Sequence, residues 1–335
     1  MAAYCSQAGF ARRKRTIQAK TAILPLSRID YVSLMNRMGM GIVSRNGGNT
    51  WAAVCLRFCL FTAFSCFAVA SPPKRVVSQA IGTDDILLAL ADPGQIAALC
   101  HLAHDPLFAP DADTAKRYPT LKGSSAEDIL RFKPDLVLLT SFSPPDSIAV
   151  LRKSGIKLYI LEKYETLEDV YSSLRELGDL LEQRQRADAL IASCRKRVES
   201  LSEIMKGAKP VRVLSAGVYP YISGSNTSFQ DLCDHAGAIN VATEAGINGV
   251  VSIPTEKMLS WEIDVLIGPT EHRPGETGPK LIERLRDTPY RFLQVHRQGS
   301  VIEIPGALFA ATSHHRITAY EMLARALHPK RFEGR

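Results

Sequence analysis

The stretch SAEDILRFKPDLVLL, Ser125–Leu139, is written a second time as PTEKMLSWEIDVLIG, Pro254–Gly268. With Ser125 set on Pro254, Glu127 meets Glu256, Ile129 meets Met258, Leu130 meets Leu259, Phe132 meets Trp261 and Asp135 meets Asp264. In each copy a short helical pattern feeds an unbroken apolar strand. Such a phrase, used once in each half of a chain, predicts two lobes of the same architecture.

The segments around the two copies agree. RVVSQAI (75–81), DLVLLT (135–140) and KLYIL (157–161) read as strands in the first half, and VRVLSA (211–216), DVLIG (264–268) and SVIEI (300–304) in the second. Helical patterns lie between them. TDDILLALA opens with Thr83 as N-cap and acids in its first turn. DSIAVLRKSG, SFQDLCDHAGA, GPKLIERLRD and the terminal HHRITAYEMLARAL follow. Apolar runs that do not alternate, separated by helices, belong to parallel sheets covered on both faces. The fold class is therefore α/β, in two lobes with a long helix between them. The joining block, Thr166–Lys206, contains no proline, and its second part from Arg184 to Met205 would be ~33 Å long. The expected domains are an N-terminal extension with signal peptide (1–70), an N-terminal lobe (71–183), a connecting helix (184–206) and a C-terminal lobe (207–335). Within this frame Glu127, three residues after Ser124, reads as part of a capping box, and Glu256 behind Pro254 suits a first helical turn.

Net charge narrows the partners. The formal +7 resides in residues 1–70, which hold nine of the 41 Lys/Arg and one of the 34 Asp/Glu; the remainder carries 32 against 33. No basic stripe is left to neutralise a nucleic-acid backbone. The extension itself reads as an export signal: Arg57, an apolar run Phe58–Val69, and Ala68-Val69-Ala70 before Ser71. A membrane span needs about 20 apolar residues, so cleavage after Ala70 is preferred to an uncleaved anchor. Phe64 disfavours a lipoprotein site at Cys66. Residues 1–37 are too many before such a signal, and Met38 or Met40 would make a more ordinary start, so 1–37 are expected to be untranslated or removed. Beyond the cleavage point only Cys100, Cys194 and Cys233 remain, widely spaced. They form neither a disulfide framework nor a zinc knuckle, and are expected to be buried free thiols.

Four segments together carry a resemblance: RVVSQAIGTDDILLALA, SAEDILRFKPDLVLL, GVYPYISGSNTSFQDLCDHAGAINVA and VSIPTEKMLSWEIDVLI. The chain resembles, over residues 74–328, the periplasmic substrate-binding proteins of ABC importers for vitamin B12, ferric siderophores and haem. The resemblance implies two Rossmann-like lobes joined by one long rigid helix, with a ligand cleft between the lobe edges. It implies a periplasmic, monomeric protein that hands a small-molecule ligand to permease subunits in the inner membrane. It implies further that Glu127 and Glu256, at the two lobe tips, meet arginines of those subunits.

No catalytic motif accompanies these features. Gly-x-Ser-x-Gly, a phosphate-binding Gly-x-x-x-x-Gly-Lys-Ser/Thr and His-Glu-x-x-His are all missing from the sequence, and neither an enzyme nor a resident cofactor or metal is expected. GPTEHRPGETG reads as an exposed loop after a strand. Ligands of open α/β sheets lie beyond the carboxyl ends of the strands, which makes Thr83, His104 and Phe142 candidates in the first lobe. Tyr219, Tyr221, Asn248 and Arg316 are their counterparts in the second. Aromatic rings suit a large planar ligand, and of the two tyrosines at most one faces the cleft if the segment is extended. His104 or Tyr219 could serve as an axial ligand to haem, Arg316 would suit a ferric siderophore, and Trp261, the one tryptophan beyond residue 70, is expected in the core, which weakens a corrinoid. A zinc or manganese receptor would draw on His101, His104, His272 and His314, which are scattered. A sensor domain, or a metallocluster enzyme of similar fold, is a further alternative, although the three cysteines lack cluster spacing. If the signal reading is right, N-terminal sequencing of protein exported by a bacterial host will begin at Ser71; a start well before residue 60 would overturn it.

Overall fold

The structure, a computed structural model, describes residues 71–217 and 219–334; the export signal and its cleavage after Ala70 lie outside these. In chain order the first half contains β1 (Val76–Ser78), α1 (Ile81–Leu90), β2 (Ile96–Ala98), α2 (Ala112–Ala115), α3 (Ala126–Leu130), β3 (Leu136–Thr140), α4 (Pro145–Lys153) and β4 (Lys157–Leu161). Two long helices follow, α5 (Leu167–Leu180) and α6 (Arg184–Met205). The second half contains β5 (Val211–Ser215), β6 (Tyr221–Ser223), α7 (Ser228–Ala236), β7 (Ala238–Asn240), α8 (Val241–Glu244), β8 (Val250–Ser252), α9 (Thr255–Leu259) and β9 (Val265–Pro269). It closes with α10 (Leu281–Arg284), α11 (Gln294–Arg297), β10 (Val301–Ile304), α12 (Gly306–Phe309) and α13 (Arg316–Leu327).

Both main sheets are wholly parallel. Their orders are β2-β1-β3-β4 and β10-β9-β5-β7. Read from the other edge, the second sheet repeats the first, and the doubled phrase feeds the third strand of each, β3 and β9. Its aspartate has a geometric task in both copies. Asp135 accepts from the backbone N–H groups of Lys74 and Arg75 at 2.7 and 3.0 Å, and Asp264 from that of Arg212 at 2.9 Å. Arg75 and Arg212 return the gesture to the carbonyls of Phe132 and Glu262. Each lobe thereby pins the start of its first strand to the start of its third.

Successive side chains along these strands join different layers. Leu136 and Leu138 join Val213, Ile267 and Ile304 in one core that runs through both lobes and takes in α5, α6 and α13. Val137 and Leu139 face an outer core in the first lobe, and Leu214 and Leu266 one in the second. Phe132 and Trp261 pack at the edges of these outer cores. Leu136–Leu139 are fully buried, each contributing roughly 1.5–3 kcal/mol. The expected buried free thiols are present as Cys100, Cys194 and Cys233.

The Thr166–Lys206 block is two helices rather than one, because Glu182 takes a left-handed conformation at φ 58°. The chain folds back there, and α5 packs on α6 so closely that a Cβ on Gly178 would lie 2.6 Å from that of Ala187. The 22-residue α6 is uninterrupted, hence ~33 Å long. Thr83 is not an N-cap. Helix α1 starts at Ile81, with Ala80 in the N-cap place, and the Thr83 hydroxyl donates to the Ala80 carbonyl at 2.9 Å. No capping box forms on Ser124 either: Ser125 is the N-cap, accepting from Asp128 N at 3.2 Å.

A buried ion pair closes the junction. Arg316 at the start of α13 is 3% exposed and lies 3.1 Å from Asp231 of α7. It also donates to the carbonyls of Tyr164 (2.7 Å) and Glu165 (3.3 Å) in the first lobe. Asp231 in turn accepts from the backbone of Leu167 at 3.2 Å and from the hydroxyl of Tyr320, whose ionisation burial pushes up. Arg316→Met should lower stability by about 3–5 kcal/mol, because removing one partner strands a buried charge. Urea midpoints will measure this; a loss under about 1 kcal/mol, the range of exposed pairs, would mean the junction does not depend on the pair.

Candidate functional site

The carboxyl ends of the parallel strands converge on one edge of each lobe. In the first lobe the turn after β3 exposes Phe142 (44%), its ring 5.8 Å from that of Tyr164. In the second, the segment after β5 exposes Tyr219 (37%), set edge-on to Tyr290 at 6.0 Å. Each lobe thus offers one aromatic ring. Tyr221 is half-buried within β6, which pairs antiparallel with β8. Asn248 is exposed and accepts from the Asn226 amide at 3.0 Å.

Three other candidates are occupied elsewhere. Thr83 is fully buried, its hydroxyl 2.8 Å from that of Ser78. His104 turns inward, its Nε2 3.0 Å from the carbonyls of both Ala115 and Tyr118. Arg316 is committed to the junction described above. The arginine at the lobe edges is instead Arg273, in the GPTEHRPGETG loop. Its guanidinium reaches across to Asp105 in the loop after β2 and donates twice, at 2.9 and 2.7 Å. The bonds from Arg273 hold the Asp105 carboxyl below its usual range. Nothing in the local sequence marks this pair, since its members are 168 residues apart.

The twin glutamates occupy matching places. Glu127 and Glu256 are each the second residue of a five-residue helix, α3 and α9, and both are exposed. Among the described residues neither carboxylate has a hydrogen-bond or ion-pair partner; the capping that the sequence offered them is done in α3 by Ser125 and Asp128. Asp128 accepts from the N–H groups of Lys122 and Gly123 at 2.6 and 2.7 Å. Both helices are tied to the cleft rim. Gln79 donates to the Ser124 carbonyl at 2.7 Å and accepts from Ser143, next to Phe142. On the other lobe the Tyr219 hydroxyl lies 2.6 Å from that of Thr255, the first residue of α9.

A polar cluster lies where α1 meets the segment before α13. Asp84 and Asp85 are 2% and 1% exposed. Burial pushes the Asp84 carboxyl up to about 8 against hydrogen bonds from Cys100 and Ser78, and that of Asp85 up to about 6 against His315 and Ser313. Burial also opposes a charge on His315, but its bond to Asp111 and the neighbouring carboxylates outweigh this and raise it. His314, its ring 4.2 Å from that of His315 and tilted by 33°, is lowered to about 4, chiefly by burial and then by His315. Of the four histidines considered for a metal receptor, His101 is exposed and His104 is held in its own loop. His272 and His314 each keep a buried Nδ1 without a partner.

Comparison with known proteins agrees with this architecture. The profile of the periplasmic binding protein family matches residues 76–306, and the chain belongs to that family. The vitamin B12-binding protein of Pectobacterium carotovorum is 25% identical over 187 residues, 54% of this chain and 66% of that protein. The molybdate-binding protein MolA of Haemophilus influenzae is 24% identical over 253 residues, 68% and 70% of the two chains. The periplasmic heme-binding protein RhuT from Roseiflexus, in apo form, superposes with a TM-score of 0.65 at 22% identity, covering 77% of this chain and 99% of that one. The family places the chain among extracytoplasmic substrate-binding proteins. Since the glutamates have no partner among the described residues, Glu127→Ala and Glu256→Ala should each cost at most about 0.3–1 kcal/mol through the helix dipole. Ser125→Ala should cost about 0.5–2 kcal/mol through the lost cap. Thermal melts of the three variants will rank them, and an E127A penalty above that of S125A would contradict the assignment.

Proposed function

We propose that the chain is the substrate-binding component of an ABC import system, without catalytic activity, and that it carries a metal-centred chelate or macrocycle to a permease in the inner membrane. The cargo classes are haem, a corrinoid such as cobalamin, and a ferric siderophore. Phe142 and Tyr219 supply flat apolar area from opposite lobes, and Asn248 and Tyr221 flank the second. Arg273, whose guanidinium fork holds Asp105, would exchange that carboxylate for a carboxylate or oxyanion of the cargo, in place of the buried Arg316. With Arg316 buried and Trp261 half-buried in an outer core, neither a siderophore-type arginine set nor a tryptophan-lined corrinoid cleft is favoured, and haem is the cargo this lining suits best.

The observation that carries the reading is the pair of unpartnered glutamates on equivalent helices of equivalent lobes. A charge left exposed and unbonded at the same position twice is available to a two-subunit partner, and Glu127 and Glu256 would each face an arginine. Charges on the rim of an interface mainly set orientation and association rate. A thermal-shift panel of haemin, cobalamin and ferric siderophores identifies the cargo, since a ligand at a hundredfold excess over Kd stabilises by ~2.7 kcal/mol. The Glu127→Ala/Glu256→Ala double variant should bind the same cargo with unchanged affinity while uptake in cells, or stimulation of the importer's ATPase in vesicles, collapses. Normal transport by the double variant would leave the glutamates without a docking role, and no response to any cargo in the panel would sink the chelate assignment.

A further inference from the structure

We infer that Asp85, Asp111 and His315 form a binding site for a divalent transition-metal ion, zinc by the chemistry of its donors, at the junction of the two lobes. The site is independent of the cargo and departs from the metal-free reading of the sequence. Its residues come from three separate strand ends: Asp85 from α1 behind β1, Asp111 from the segment behind β2, His315 from the segment that leads from β10 into α13. Far apart in the chain, they bring one ligand atom each to within 4.8 Å of one another. His315 Nε2 is 2.8 Å from Asp111 Oδ2, and Ser313 donates to Asp85 Oδ2 at 2.7 Å.

Charge balance is what sets this cluster apart from an ordinary hydrogen-bonded knot. Buried charges in proteins are paired or coordinate metals. Asp85 is 1% exposed, and among the described residues neither it nor Asp84 has a lysine or arginine partner. The one side chain that answers both Asp85 and Asp111 is a single imidazole. Arg197, whose charge is felt at both histidines, is bound twice to Glu321 at 2.9 and 2.7 Å and once to Thr318 at 3.0 Å. Beside the cluster His314 has its buried Nδ1 unpartnered.

The donor set selects the ion. Two carboxylate oxygens and one imidazole nitrogen suit zinc, which takes three protein ligands at roughly 2.0–2.2 Å and keeps a fourth position for water. Magnesium would ask for an octahedron of oxygens, and a soft ion for sulfur. Small rotations of side-chain ends would bring the three atoms to the spacing of a tetrahedral shell. The Asp111 carboxylate is 32% exposed and gives the ion its way in, while Ser313 orients the buried Asp85. On binding, His315 Nε2 gives up its proton to solvent and its lone pair to the metal, so that the bond to Asp111 becomes a shared ion. That ion would clamp the first lobe to α13.

Untagged full chain, stripped with a chelator and titrated with Zn²⁺ by calorimetry, should take up one equivalent and gain thermal stability without any cargo present. Co²⁺ should give visible d–d bands of a four-coordinate site. Asp111→Asn, which keeps the side-chain shape at a half-buried position, should weaken Zn²⁺ binding by at least about 10–100-fold, the range seen even for outer-shell changes. His315→Gln should do the same, and His101→Gln, at an exposed histidine outside the cluster, should not. Circular dichroism of Asp111→Asn shows whether the fold is retained. No saturable Zn²⁺ uptake by the unaltered chain, or uptake undiminished in folded Asp111→Asn, would overturn the site. Because cargo is absent throughout, either result leaves the import reading to its own test.

Discussion

Asp231 and Arg316 meet in the one place where everything else in the protein has to agree. The aspartate belongs to α7 and the arginine to α13, yet both also bond to the first lobe, at the backbone of Tyr164, Glu165 and Leu167. Around them the shared core passes without a break from β3 through α5, α6 and α13 to β9. Parting the lobes would break the bonds that this pair makes to the first lobe's backbone and expose apolar faces that are fully buried. The two sheets therefore keep a set separation, and the cleft between their carboxyl ends exists before any cargo arrives. A continuous α6 without proline or glycine acts in the same sense.

Much of this was readable from the chain. Strands β3, β4, β5, β9 and β10 announce themselves because buried parallel strands are apolar on both faces, and the break between sheets is visible as a long amphipathic block. The doubled phrase gave the pseudo-symmetry and both glutamates, since an exposed residue repeated in register has no packing reason to recur. Short elements escaped. β2, β6, β7 and β8 are three residues each, too brief for periodicity to speak. Thr83, His104 and Arg316 lie beyond strand ends, but position along a strand does not tell which way a polar side chain turns, and each bonds within the protein. Arg273–Asp105 and the Asp85–Asp111–His315 cluster rest on separations that only the fold can close.

The two lobes share topology, strand order and the aspartate that pins first strand to third, but they are not interchangeable. Ser125 caps α3 with its hydroxyl, whereas Pro254 does for α9 what a rigid backbone can and Thr255 is used sideways, toward Tyr219. The carboxylate cluster at the junction draws both its aspartates from the first lobe, and the lobe-spanning arginine comes from the second. Duplication supplied the frame; the chemistry was added to each half separately.

The contact between Arg273 and Asp105 has a kinetic meaning. It spans lobes that are otherwise locked, it lies near water, and an exposed pair of this kind contributes under about 1 kcal/mol. A latch that weak opens and closes with the loops that bear it, on the nanosecond-to-microsecond scale of loop motion rather than the slower scale of domain hinges. Access to the cleft is then governed by two flexible loops on a stationary frame. Since salt screens exposed charges over about 8–10 Å, the traffic through that doorway should answer to ionic strength even though the walls of the room do not.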